Sequence, residues 1–258
     1  MVDPDLVKGW KRDESAPFEG WDFSYLADRT REERQPWDFM NLARDLVAES
    51  ESVLDMGTGG GERFAALAPF PGRAVALEGF EPNVGVARDR LRPLGVSVIE
   101  ADESSNLPFD NGEFDLVLNR HSAFLADEVR RVLKPGGRFL TQQVGSDDLR
   151  DLAELFDSGR DVEAWSLTDA VEVIENSGLV VSYQDAWRGA IEFLDVGAIA
   201  YLLRAVPWIV TDFSVDRYES QLDRLQRRLD LGKPLRFTRA SFIIEAHSPP
   251  LSLRPNGI

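Results

Sequence analysis

Cysteine is absent from this 258-residue chain, which rules out disulfides, thiolate-bound zinc and thiol nucleophiles together. Histidine is nearly absent, with only His121 and His247. No carboxylate cluster with ligand spacing compensates, so no metal site is expected. Lys/Arg-rich runs are missing too: 29 basic residues stand against 45 acidic ones, a net charge of −16. Such a surface repels a phosphate backbone, so the expected partner is a small molecule rather than long nucleic acid. The longest apolar run, "VGAIAYLLRAVPWIV", is about 15 residues broken by Arg204, too short to span a bilayer. The opening "MVDPDLVKGW" lacks the basic-then-apolar pattern of a secretion signal. A soluble, cytoplasmic protein with no membrane partner is the expectation.

What is present is a globular composition, 43% hydrophobic and 29% charged, with enough apolar mass for a sizeable core. Apolar runs of strand length alternate with helical patterns through the middle of the chain: "RAVALE", "VSVIEAD", "FDLVLNR" and "RFLTQQV". Near-continuous apolar strands separated by helices predict a parallel sheet covered on both faces, doubly wound by right-handed crossovers. Pro82 opens one helix and Gly95 follows its end, the usual asymmetry of helix termini. Lys134-Pro135-Gly136-Gly137 reads as the close of another helix and the turn into the fifth strand.

The stretch "VLDMGTGGGERF" packs Gly57, Gly59, Gly60 and Gly61 between the first strand of this core and a helix. Bare backbone there lets a cofactor reach N–H groups. It is not the G-x-G-x-x-G of dinucleotide enzymes, because Glu62 stands where the third glycine belongs, and no Tyr-x-x-x-Lys pair follows the fourth strand. Asp55 leads the loop and supplies negative charge, which suits a cationic ligand and is wasted on a pyrophosphate. Glu78 ends the second strand, where a carboxylate can accept both hydroxyls of a ribose. Asp102 ends the third, where it can accept adenine amino hydrogens.

Together "VLDMGTGGGERF", "VALEGFEPNVGVAR", "EADESSNLPFDNGEFDLVLNRH" and "EVRRVLKPGGRFLTQQVG" resemble the class I S-adenosylmethionine-dependent methyltransferases, in order and spacing, over roughly residues 53–145. The resemblance implies an α/β fold with a mostly parallel seven-stranded sheet, the last strand antiparallel, and S-adenosylmethionine across the carboxyl ends of the strands. It places Asp55, Gly57, Thr58, Gly59 and Gly61 against the cofactor, Glu78 on the ribose, and Asp102 with the backbone of Glu103 on the adenine. Asn119 falls near the methionine portion. The second-strand ending departs from the family, with Pro82 four residues after Glu78 in "EGFEPN", which makes Glu81 a rival ribose ligand.

His121 directly follows the fourth core strand, at the rim where a methyl acceptor would lie. Three roles stay open for it: base, substrate-orienting group, or structural hydrogen bond. Arg120 beside it could meet a substrate carboxylate or pair with Asp115. Gln142 and Gln143 alternate across the fifth strand, so one of them can face the cleft. Two additions flank the core, giving an N-terminal helical cap at 1–50, a core at 51–187 plus 235–247, a helical insertion at 188–234 and a loose tail at 248–258. Val215, Tyr218, Leu222, Leu225 and Leu229 make one apolar helical stripe, expected to cover the cleft side of the sheet. Tyr25, Trp37, Tyr201 and Trp208, with Trp21 and Phe193, are expected to shape the acceptor pocket. The same residues would serve a homodimer interface equally well.

Overall fold

The computed structural model describes residues 2–18, 21–157 and 165–250. Its strands are β1 (Thr30–Glu32), β2 (Ser52–Met56), β3 (Arg73–Glu78), β4 (Ser97–Glu100), β5 (Phe114–Arg120), β6 (Leu133–Val144), β7 (Val180–Phe193) and β8 (Leu235–His247). They form one sheet in the order β1-β7-β8-β6-β5-β2-β3-β4. Eight strands replace the expected seven. The extra one, β1, is a three-residue edge strand that pairs antiparallel with Ile191, Glu192 and Phe193 of β7. It is too short to show a period in sequence.

The chain divides into two compact units. One comprises Trp37–Val144, Trp165–Ala186 and Phe242–Ile258; the other comprises Met1–Pro36, Gly145–Ala164 and Trp187–Ser241. In the first unit β4, β3, β2, β5 and β6 run parallel to one another. Side chains alternate between two cores. Leu54, Val75, Leu77, Val117 and Phe139 face one, where Ala126 and Val129 of α5 (Ala126–Val132) and Ala170 and Ile174 of α7 (Leu167–Asn176) pack. Val53, Ala74, Ala76, Leu116 and Leu140 face the other, closed by α2 (Phe39–Ala48), α3 (Glu62–Ala65) and α4 (Glu81–Leu91). The period of two and the cover on both faces are what a doubly wound sheet requires. From β2 the chain goes to β3 on one side, and β5 lies on the other. The β2–β5 gap is therefore a topological switch point, with Met56 in register with Asn119.

Three expectations need correction. Pairing begins at Leu133, so Lys134–Gly137 belong to β6. The reason lies at the far end of the chain: Ser248 exchanges backbone hydrogen bonds with Gly136 and Gly137 at 2.9 and 2.8 Å. Ser248 is accordingly buried, not loose tail; residues 251–258 of the expected tail lie outside the described residues. Finally β7 continues to Phe193, so the first six residues assigned to the insertion are strand.

The second unit has its own core around Trp10 of α1 (Pro4–Glu14), Leu152 of α6 (Arg150–Glu154), α8 (Val196–Ala205) and α9 (Glu219–Asp230). The predicted stripe is helical only from Glu219 on, so Val215 and Tyr218 precede α9, and all five residues turn into this core. Val215, Leu222 and Leu225 are buried in it, and Tyr218 and Leu229 pack against it. Helical periodicity says that a face is covered, not by what. A clip of opposite charges ties the unit together. Arg29 donates to both oxygens of Asp195, the N-cap of α8, and to Asp13 Oδ2 at 3.0 Å. The Tyr25 hydroxyl donates to Asp13 Oδ1 at 2.7 Å.

Among the described residues no helix is long and apolar enough to cross a membrane.

Candidate cofactor and active site

The glycine loop is tied to the neighbouring strand before it reaches its helix. Gly57 and Thr58 both donate backbone hydrogen bonds to Leu77 O, at 2.9 and 3.0 Å. Gly57, Gly59 and Gly61 have φ of +68°, +62° and +79°, a region where any L side chain is strained. A Cβ on Gly57 would also collide with Ser122, and one on Gly61 with Leu91 of α4. Gly61 thus serves helix packing, while Gly57 keeps the switch point open.

Three carboxylates gather round this loop. Glu78 Oε2 accepts from Gly59 N at 2.6 Å, and Glu78 Oε1 accepts from Phe80 N at 2.8 Å. Burial pushes the Glu78 acid up, partly offset by these two N–H donors. Each oxygen keeps a lone pair for a further donor. Asp55 is half-buried beside the loop, and desolvation pushes it up to about 7, with the nearby Glu78 charge adding to the shift. The Thr58 hydroxyl leans on Asp55 and lowers that shift, yet Oγ1 is buried without a partner in hydrogen-bond geometry. Glu81 opens α4, leaving Glu78 as the acid on the loop.

The acid expected at the end of the third core strand is placed differently from the other two. Asp102 turns to solvent, where its Oδ1 accepts from Ser104 N and Ser104 Oγ at 2.8 and 2.6 Å. These bonds hold its acid below the usual range. The cause is local: an aspartate two residues ahead of a free N–H closes its own turn. Glu103 points inward instead. Its Oε1 would lie 3.1 Å from a Cβ on Gly57, and its Oε2 3.0 Å from one on Gly79. Burial pushes the Glu103 acid up, with Ser122 among the groups that oppose this. The sequence reading gave Glu103 a backbone role only, and Ser122 none. Glu103 stands in the turn that follows β4, and no spacing rule says which residue of a turn faces in.

Asn119 is fully buried. Its Oδ1 accepts from Thr141 Oγ1 at 3.0 Å and Gln143 Nε2 at 2.6 Å, and its Nδ2 donates to Ala123 O at 3.3 Å. Gln143 also donates to Ser122 O at 3.1 Å, so this network braces the loop after β5. His121 stands on that loop with φ +58°, and its backbone N donates to Gln142 O at 2.8 Å. Its ring Nε2 lies 3.1 Å from Gln142 Nε2, and Trp37 Nε1 donates to Gln142 Oε1 at 2.8 Å. Trp37, expected in the acceptor pocket, is thus bound to β6. Arg120 is half-buried and engaged. Asp115, offered as its partner, is taken by Lys134 and Ser52 at the other end of β5.

Tyr25 and Tyr201 belong to the second unit. Their rings lie 4.5 Å apart and line a cavity of about 400 Å³ with Pro17, Asp22 and Ser24. Phe193 is wholly buried in that unit's core. Trp208 is 46% exposed and meets Trp21 at 5.5 Å.

A sulfonium nucleoside fits what the first unit offers: acidic oxygens for a cation and ribose hydroxyls, bare glycine backbone, and the orphaned Thr58 hydroxyl as a further polar contact. The comparisons with known proteins agree. Residues 54–141 match the family model described as "Methyltransferase domain". The chain is 33% identical over 103 residues to a phthiotriol/phenolphthiotriol dimycocerosates methyltransferase of Mycobacterium tuberculosis, covering 37% of each chain. It is 34% identical over 111 residues to a fatty-acid O-methyltransferase of Mycolicibacterium smegmatis, covering 40% of each. The chain thus spans less than half the length of either relative. Its fold is similar to that of the YcgJ protein of Bacillus subtilis, with a TM-score of 0.59 at 22% identity over 82% of this chain and 98% of that one.

Proposed function

We propose that this chain, whose residues 54–141 match the family model described as "Methyltransferase domain", transfers a methyl group from S-adenosylmethionine to a small-molecule acceptor with an apolar body. The observation that carries it is the gathering of Asp55, Glu78 and Glu103 round a glycine turn at the switch point. S-adenosylmethionine, when bound, supplies an electrophilic methyl group on a cationic sulphur. The chain's part is to bind, orient and exclude water.

Glu78 takes the ribose hydroxyls with the lone pairs that Gly59 and Phe80 leave. Asp55 and Glu103 set a negative potential that favours the charged donor over its neutral product. That difference helps the spent cofactor leave. The Asn119–Gln143 brace keeps Ser122 against Gly57, so the floor of the site holds its shape. An apolar acceptor is supported by what the two mycobacterial relatives are named for. The net charge of −16 argues for a small acceptor rather than a nucleic acid.

Calorimetry with S-adenosylmethionine and S-adenosylhomocysteine tests the cofactor, with micromolar or tighter binding expected. Incubation of lipid and small-molecule pools with methyl-labelled cofactor tests the acceptor class. No heat and no thermal shift with either ligand ends the methyltransferase reading. Label appearing only in RNA or protein ends the small-molecule one.

A further inference from the structure

We propose that Trp37 and Gln142 are positioning residues that fix the ring plane and tautomer of His121. His121 then stands with its proton on Nδ1 and its Nε2 lone pair engaged. The inference deepens the methyltransferase reading, because it decides which chemistry His121 brings to that site.

Trp37 Nε1 carries a hydrogen and no usable lone pair, so it can only donate. Its partner, 2.8 Å away, must therefore be the carbonyl oxygen of the Gln142 amide. A reversed amide would set two donors face to face. Gln142 is only 1% exposed, and leaving donors unsatisfied in such a place is costly. With the oxygen committed to Trp37, the amide nitrogen is the atom 3.1 Å from His121 Nε2. An amide NH2 only donates, so Nε2 accepts. A neutral imidazole that accepts at Nε2 carries its hydrogen at Nδ1.

The backbone supports the same arrangement. Trp37 immediately precedes Asp38, whose side chain caps α2 by accepting from Asn41 N at 3.2 Å. Gln142 is in register with Arg120 across β5 and β6. His121 N bonds Gln142 O at 2.8 Å, so one residue of β6 grips both the backbone and the ring of His121. That double grip holds His121 in a left-handed conformation that a non-glycine residue reaches at a cost. A base acting through Nε2 would first have to break the Gln142 bond. The chain therefore places His121 as an orienting group, and methyl transfer proceeds by alignment.

The chain's two histidines make the test direct. Replacing His247→Gln leaves a single imidazole, and long-range proton–nitrogen correlation on histidine-labelled protein reads its tautomer. At about pH 8, above the ordinary histidine range, the Nδ1–H form is expected to dominate by tenfold or more. Trp37→Phe frees the amide and is expected to bring both tautomers to comparable populations. Gln142→Glu has no donor to offer Nε2, so the ring is expected to switch to the Nε2–H form. Both variants are checked by retained binding of S-adenosylhomocysteine. A wild-type ring in the Nε2–H form overturns the proposal without any variant. So does a tautomer ratio that neither folded variant moves. Because the reading is spectroscopic and needs no acceptor, its failure is separate from failure of the methyltransferase reading, which calorimetry decides.

Discussion

Asp55 shows most clearly what burial does to a single group. Desolvation raises its acid to about 7, so between about pH 4 and 7 the folded chain holds a proton that the unfolded chain, with an ordinary aspartate, releases. Its contribution to stability is therefore full below about 4, falls as pH rises, and levels off above 7. A cationic ligand reverses the preference, because it stabilises the ionised form. Affinity for S-adenosylmethionine is expected to climb towards pH 7 and then flatten, and Asp55→Asn to remove the slope. Titration calorimetry across pH 5–8 reads this; a parallel slope in the variant would assign it elsewhere. Glu78→Ala removes two oxygens that bind hydroxyls and also frees Gly59 N. Hydrogen bonds to charged groups are worth about 1.5–3 kcal/mol, so a loss of roughly ten- to a hundredfold in cofactor affinity is expected. An unchanged dissociation constant would take the ribose away from Glu78.

At the scale of elements, α1 and α8 are joined through charge. Asp13 is 4% exposed and binds both Arg29 and Tyr25. Asp13→Ala would leave the half-buried Arg29 short of one partner and the Tyr25 hydroxyl without its acceptor, and hydrogen bonds to charged groups are worth about 1.5–3 kcal/mol. Gly197 faces the same carboxylate, and a Cβ there would collide with it. Both Asp13→Ala and Gly197→Ala are expected to lower the melting temperature by on the order of 5–10 °C. Melts that match the wild type would show the clip to be ornamental.

The same elements show what the sequence made legible. β2, β3, β5 and the end of β6 read directly, because apolar side chains alternating between two cores leave a period in the residues themselves. The stripe on α9 read correctly as a stripe, but its destination did not, since Leu222 and Leu225 bury equally well against any apolar surface. β1 could not be read: Thr30–Glu32 is strand only because Phe193, 163 residues on, offers it a partner. The same holds for Trp37 and Gln142, 105 residues apart and joined by one hydrogen bond. At the candidate site the positive-φ glycines were legible because the turn needs them, and Glu78 because it ends its strand. Which of Asp102 and Glu103 faces inward was not, because a local turn decides it.

Across the whole molecule the excess of acid is the dominant long-range force. The 45 acidic and 29 basic residues leave more repulsion than the ion pairs can offset. Most of those pairs are exposed, and such pairs are worth about 0–1 kcal/mol each. Screening shortens from about 30 Å at 0.01 M salt to about 3 Å at 1 M. The melting temperature is therefore expected to rise by on the order of 5 °C over that range, as thermal melts in potassium chloride would show. A fall would mean that the ion pairs outweigh the net charge.

The second unit draws on three stretches of chain, and the Arg29 clip closes α1 against Asp195, at the start of a helix that begins about 180 residues after α1 ends. Ribosomes add roughly 5–20 residues per second. The apolar face of α1, with Trp10, therefore leaves the exit tunnel roughly 10–40 s before the surface it will cover has been made. For that interval its natural binder is whatever guards nascent chains. Moving residues 2–36 to follow residue 250 by circular permutation would reverse the order of arrival, and with it the dependence of folding yield on the speed of translation.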